Sequence, residues 1–280
     1  MKTYSFTANE QIVKEITSYF SKEDFSSTSD YMRYKITRKN LSIIIYNSNK
    51  VVIQGKDAEI YFEMFKPAES IILPQAGSDE VGTGDFFGPV CVCAVYLDAK
   101  TYEKIQVYNL TDSKKLNDEY IIRITPKLIK QVTHSLLILD NVKYNQVNKD
   151  NNMNEIKAKL HNQAYINLKK KIIELPELII VDEFCSKNKY YQYLKNEETI
   201  KNIHFETKAE DKYLSVAIAS IIARYAFLIF IEQLSRKYKM SFPKGAGQNV
   251  DDFISKFIKK YGISELKKVA KMNFKNVERI

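Results

Sequence analysis

The 280-residue chain has no tryptophan and only three cysteines, three histidines, eight glycines and six prolines. Cys91, Cys93 and Cys185 form an odd set without a Cys-x-x-Cys pair, which argues against a disulfide framework or a structural zinc site. The start, Met1-Lys2-Thr3-Tyr4, offers no apolar segment for secretion. The longest apolar runs, such as 215–222, fall short of a bilayer span and are followed by Arg224. A cytoplasmic protein with no membrane association is the expectation. No internal repeat or low-complexity linker is present, and 45% hydrophobic residues suffice for a packed core.

Positive charge is in surplus. The formal charge is +9, and residues 236–280 hold twelve basic against four acidic side chains, so this stretch accounts for +8 of it. Such a surplus points to a polyanionic partner without naming one.

The best candidate boundary lies at 66–70, dividing a unit of residues 1–66 from one of residues 70–280. In the first, the spacing of Ile12, Val13, Ile16, Tyr19 and Phe20 predicts an amphipathic helix over 9–20. Strands are predicted over 31–37, 41–47 and 50–54, with a closing helix over 58–65, which makes a small α+β unit. The remainder alternates strand and helix, which predicts an α/β fold with a mixed central sheet flanked by helices. Strands are expected over 90–97, 135–140 and 178–181. Helices are expected over 117–131 (kinked or restarted at Pro126), 154–173, 214–234, 250–261 and 264–271.

The most informative segment is 77–89, Gly-Ser-Asp-Glu-Val-Gly-Thr-Gly-Asp-Phe-Phe-Gly-Pro. Adjacent Asp79 and Glu80 repel unless a proton or cation relieves them, and the glycines that follow let backbone amides approach a phosphate. An acidic hairpin turn is the ordinary alternative. A Walker loop is excluded because Gly88-Pro89 stands where Gly-Lys-Ser/Thr is needed, and a dinucleotide fingerprint because a strand follows its glycines. Asp182 ends an apolar strand, where α/β sheets place their sites, although a lone Asp there is commonly a turn residue. Glu210 and Asp211 precede the apolar helix at 214–234, a position acidic residues favour in any helix. Together these carboxylates could supply the oxygen ligands that two hard cations require.

With these motifs the chain resembles bacterial ribonuclease HIII. The resemblance rests on 77–89, on Asp112-Ser113-Lys114-Lys115-Leu116, on Lys157-Ala158-Lys159-Leu160-His161-Asn162, on Thr207-Lys208-Ala209-Glu210 and on Pro243-Lys244-Gly245-Ala246-Gly247, in that order. It covers residues 70–280. Through 50–56, Lys-Val-Val-Ile-Gln-Gly-Lys, residues 1–66 resemble that family's TATA-box-binding-protein-like substrate-binding domain.

The resemblance implies an RNase H-like catalytic domain in which Asp79, Glu80, Asp182 and Glu210 hold two Mg2+ or Mn2+ ions. Glu210 is chosen over Asp211 by its spacing ahead of Ser220. The implied reaction is endonucleolytic hydrolysis of the RNA strand of an RNA–DNA hybrid, leaving 5′-phosphate and 3′-hydroxyl ends. No catalytic histidine is demanded, and His134, His161 and His204 read as structural. Gly82, Thr83 and Gly84 are the expected readers of the RNA 2′-hydroxyl, with Ser113, Lys114 and Lys115 near phosphates and Lys208 steering the scissile region. The sequence Met272-Asn273-Phe274 departs from the His-Phe of many relatives. Arg33, Lys35, Arg38 and Lys39, interleaved with Tyr31, Tyr34 and Tyr46, suggest a duplex-binding sheet face in the first unit. A monomer without an obligatory protein partner is expected. Two other readings remain at this stage: incision at single ribonucleotides in DNA, as in the sister ribonuclease HII family, and a non-catalytic hybrid-binding protein.

Overall fold

The computed structural model describes residues 2–67, 71–108, 110 and 116–279. Its contacts divide the chain into two units, Met1–Ser70 and Ile71–Ile280. Residues 68–70, in the boundary expected from the sequence, and Ser113, Lys114 and Lys115 lie outside the described residues.

The first unit is an antiparallel sheet of β1 (Lys2–Thr7), β2 (Met32–Arg38), β3 (Leu41–Tyr46) and β4 (Lys50–Gly55), ordered β1-β4-β3-β2. Helices α1 (Glu10–Tyr19) and α2 (Ala58–Phe65) complete it. Strand periodicity decides which residues are covered: Leu41, Ile43 and Ile45 are buried, whereas Ser42, Ile44 and Tyr46 are half-buried. Val13 and Ile16 of α1 and Phe65 of α2 close the same core. Asn9 caps α1 by accepting a hydrogen bond from the Ile12 amide. Strand β1, which sequence reading missed, pairs with β4 from Lys2 opposite Gly55 to Thr7 opposite Lys50.

The expected basic and aromatic face does not form. Tyr34 packs against the core, and Arg38 lies over the Phe20 ring and pairs with Asp24. Arg33 pairs with Glu10. After an irregularity between Met32 and Tyr34, alternation puts Tyr34 and Arg38 on the same side as buried Ile36, away from Lys35. The face opposite that core carries Lys35, Thr37, Ser42, Ile44, Val52 and Gln54, joined by the cross-strand partners Ser5 and Thr3.

The second unit is built on a five-stranded mixed sheet ordered β7-β6-β5-β8-β9. Strands β5 (Gln75–Val81), β6 (Val90–Leu97) and β7 (Thr133–Leu139) run antiparallel. Strands β8 (Leu178–Asp182) and β9 (Ile203–Glu206) continue from β5 in parallel. Helices α3 (Ala99–Ile105), α4 (Asp118–Leu128), α5 (Asn141–Val147), α6 (Met153–Lys169), α7 (Lys187–Tyr193), α8 (Leu214–Tyr238), α9 (Gln248–Tyr261) and α10 (Ile263–Leu266) surround it. Interior strand β6 is an unbroken apolar run because both its faces are covered. Cys91, Cys93 and Val95 join the core that includes α8, and Val90, Val92 and Ala94 join the one that includes α6. Burial pushes both thiols up, as befits packing residues without chemistry.

Helix α8 is long and apolar enough to cross a bilayer by length and composition, which the shorter runs seen in the sequence did not suggest. Within this unit 61% of that window is buried. Its start approaches β5 so closely that a Cβ on Gly77 would lie 2.4 Å from Ser215 Oγ, so glycine is required there.

Two expectations are corrected. Helix α4 continues through Pro126 without restarting and ends two residues later at Leu128; the missing N–H costs the single bond to the Ile122 carbonyl. The expected helix at 264–271 is reduced to the four-residue α10, and 269–271 instead lie along the loop after β5. The short elements α3, α5, α7 and β9 were not anticipated.

Candidate active site

Alternation along β5 places adjacent acidic residues on opposite sides of the sheet. Ser78 and Glu80 face α6, where His161 Nδ1 lies 2.7 Å from Ser78 Oγ and His161 Nε2 2.8 Å from Glu80 Oε2. Lys157, one helical turn before His161, forms an ion pair with the other Glu80 oxygen. Asp79 points the other way and hydrogen-bonds Ser220 of α8. Its Oδ1 also accepts from the Glu80 amide at 2.8 Å. The parallel neighbour β8 ends at Asp182, whose Oδ1 accepts from the Ala209 amide at 2.9 Å. That contact draws in the 3-10 turn Ala209–Asp211, and the Glu210 carboxyl hydrogen-bonds that of Asp182.

The four carboxyls therefore form an electrostatically linked group. Burial and the Glu80 charge push Asp79 up to about 8. Burial also raises Asp182, opposed by the Ala209 amide and reinforced by Glu210 and Glu80. For Glu80 burial works against ionisation, yet the His161 hydrogen bond and the His161 and Lys157 charges hold it below the ordinary value. Among the described residues no three His, Cys, Asp or Glu side chains are drawn together as a ready-made metal cage. The donor chemistry nonetheless fits hard divalent ions. All four groups offer oxygen, and the repulsion that adds to burial in lifting Asp79 and Asp182 is what a cation relieves.

The loop 82–88 leaves β5 beside these carboxyls. Gly82 has φ +96°, and a Cβ there would stand 2.2 Å from the Pro89 carbonyl oxygen. A Cβ on Gly84 would meet nothing within 4 Å, so its lack of a side chain serves no packing need among the described residues. Thr83 is partly exposed between them. Lys208 is exposed and left-handed at φ 55°, turning the chain from β9 towards Ala209 and Glu210. At the departure from the family pattern, Asn273 Oδ1 accepts from the Tyr144 hydroxyl at 3.0 Å.

Sequence reasoning missed the support on α6. His161 is fully buried, and Phe184 stacks on it with 5.5 Å between ring centroids. Lys157 Nζ lies 4.0 Å from the same Phe184 ring centroid. The available signal was a Lys and a His spaced by four on a helix whose neighbouring Ile156, Ala158, Ala164 and Tyr165 are apolar or aromatic and buried. His134 and His204 take no part: their nearest partners are the Val132 carbonyl and the Tyr213 hydroxyl with Glu206.

Comparison with known proteins matches residues 76–277 to the ribonuclease HII family profile and residues 5–74 to a domain of unknown function. The ribonuclease HIII of Phytoplasma mali is 41% identical over 286 residues, covering 99% of this chain and 98% of its own. That of Listeria monocytogenes is 40% identical over 264 residues, covering 86% of each chain. Among solved structures, the Bst ribonuclease HIII in complex with Mn2+ is 35% identical with a TM-score of 0.75, covering 99% of this chain and 97% of its own.

Proposed function

The chain belongs to the ribonuclease HIII family and is a ribonuclease H acting on RNA–DNA hybrids, and on that premise we propose that Asp79, Glu80, Asp182 and Glu210 are its catalytic carboxylates. They hold Mg2+ or Mn2+, in keeping with the Mn2+ complex of the Bst relative. Bound there, the ions supply water activation and stabilise charge on the departing 3′ oxygen. The observation that supports this most directly is the straddle at the end of β5. Asp79 and Glu80 reach opposite sides of the strand beside Asp182 and Glu210, so four oxygen donors from three chain segments are electrostatically coupled.

Each protein group has a distinct task. Ser220 and the Glu80 amide orient Asp79, His161 and Lys157 orient Glu80, and the Ala209 amide orients Asp182. Glycine at 84 leaves the backbone of the 82–84 turn open to the ribose 2′-hydroxyl, the group that tells RNA from DNA. Lys208, with Ser113, Lys114 and Lys115, contacts phosphates.

The first unit is a substrate-binding domain of the TATA-box-binding-protein-like kind, presenting the face of Lys35, Thr37, Ser42 and Gln54 to the duplex. The enzyme works in the cytoplasm as a monomer without an obligatory protein partner. Parallel assays on an RNA–DNA hybrid and on a DNA duplex with one ribonucleotide test this reading. Preferential cutting of the hybrid with Mg2+ or Mn2+ supports it, and preferential incision at the single ribonucleotide contradicts it.

A further inference from the structure

Lys271 is fully buried, an environment that lysines almost never occupy without strong partners. Its Nζ donates to two backbone carbonyls of one loop, Asp85 O at 2.8 Å and Gly88 O at 2.6 Å. The backbone beside it grips the same loop. The Lys271 amide donates to Phe86 O at 2.9 Å, and the Gly88 amide donates to Val269 O at 3.1 Å. Phe87 and Ala270 form an antiparallel bridge between these contacts.

The surroundings leave the loop little freedom after residue 84. Gly88 adopts φ +83°, and a Cβ there would lie 2.7 Å from Ile231 Cδ1. Asn141 Nδ2 donates to Gly88 O at 2.8 Å, so that carbonyl is held twice. Asp85 Oδ1 accepts from the Gly245 amide at 2.6 Å, and the Phe86 amide donates to Gly245 O at 2.9 Å. The strap formed by residues 269–271 is itself fixed by Asn145, which donates to the Lys267 and Ala270 carbonyls and accepts from the Met272 amide.

An apolar side chain at 271 would fill the core without desolvating an ammonium, but it could not hold two carbonyls that point inward from opposite ends of a turn. With 85–88 immobilised and β5 fixed in the sheet, residues 82–84 remain as the segment whose path these anchors set.

We propose that Lys271 is a positioning residue for substrate discrimination: by pinning the carbonyls of Asp85 and Gly88 it sets the 82–84 turn against the RNA strand, and so the preference for hybrid over DNA duplex. The inference rests on the reading that this turn meets the RNA strand. It gives a role to one member of the basic C-terminal stretch that contact with phosphates cannot explain, since the side chain is inaccessible to a duplex.

The test is Lys271→Met in the full chain, assayed with Mn2+ for the KM of a hybrid and for inhibition by a sequence-matched DNA duplex. The KM for hybrid should rise about tenfold, while the Ki of the DNA duplex and the Mn2+ affinity stay within about twofold of wild type. A lower melting temperature with unchanged KM would overturn the proposal, as would a parallel rise of KM and Ki. If Lys271→Met does not fold, Asn141→Ala removes one donor from the same Gly88 carbonyl and should shift the KM-to-Ki ratio in the same direction, and an unchanged ratio would again overturn it. If the wild-type protein leaves the hybrid uncut, the activity reading falls. Direct binding titrations of the same two duplexes, wild type against variant, then decide the role of Lys271 separately.

Discussion

His161 Nε2 lies 2.8 Å from Glu80 Oε2 while its Nδ1 lies 2.7 Å from the Ser78 hydroxyl, so one buried ring ties two residues of β5 to α6. A carboxylate only accepts hydrogen bonds, so Nε2 carries the proton that faces Glu80. Tyr165 extends the network from the same helix, donating to the Ile180 carbonyl of β8 and hydrogen-bonding Ser78.

His161→Ala should therefore lower divalent-metal affinity or turnover by about 10–100-fold, the usual cost of losing an outer partner of a metal ligand. His161→Gln, whose amide can still donate to Glu80, should recover part of the loss. Calorimetric Mn2+ titration beside kcat measurements checks this. Equal metal affinity and turnover in all three proteins would show that the ring only fills space.

The glycines of the loop after β5 should separate into two classes. Gly82→Ala forces a side chain onto a left-handed backbone and against the Pro89 carbonyl, and should destabilise by about 1–3 kcal/mol or more. Gly84→Ala meets open space, so it should leave the melting temperature near wild type while raising the KM for hybrid. Thermal melts and steady-state kinetics on both variants test the contrast.

Asp79 predicts a linked dependence on pH and metal. In the native state its carboxyl is pushed up to about 8, above the ordinary value of 3.8. Between those two values the native protein holds a proton that the unfolded chain has released, so this group's contribution to stability falls as pH rises. A divalent ion that displaces the proton should stabilise more strongly at high pH. Melting temperatures in EDTA and in Mg2+, at about pH 6 and about pH 8.5, should show a larger Mg2+ increment at the higher pH. A larger increment at the lower pH would contradict the coupling.

Much of this arrangement was legible in the sequence because single chemical patterns encode it. The apolar run at 90–97 is a strand and the spaced apolar residues at 12–20 form a helix, both as expected. The position of Asp182 at a strand end followed from the run before it. The roles of Lys157 and His161 were hidden because they depend on which strand α6 covers, which helix periodicity alone does not specify. The same limit explains the first unit. Tyr34, Arg33 and Arg38 look like a binding grid in one dimension, but an irregular β2 and the acidic partners Glu10 and Asp24 divert them. The strap at 269–271 reads as helix by composition, and its pairing with the loop at 86–88 is a tertiary contact that no local signal announces.

The account stands most directly on cleavage of a labelled RNA–DNA hybrid by wild-type protein and by Asp79→Asn, each with Mg2+ or Mn2+ and each with EDTA. Wild type with a divalent ion should cut the RNA strand into products bearing 5′-phosphates, and the variant and both EDTA samples should leave it intact. Undiminished cutting by Asp79→Asn, or by wild type in EDTA, would contradict a reaction dependent on these carboxylates and the ions they hold.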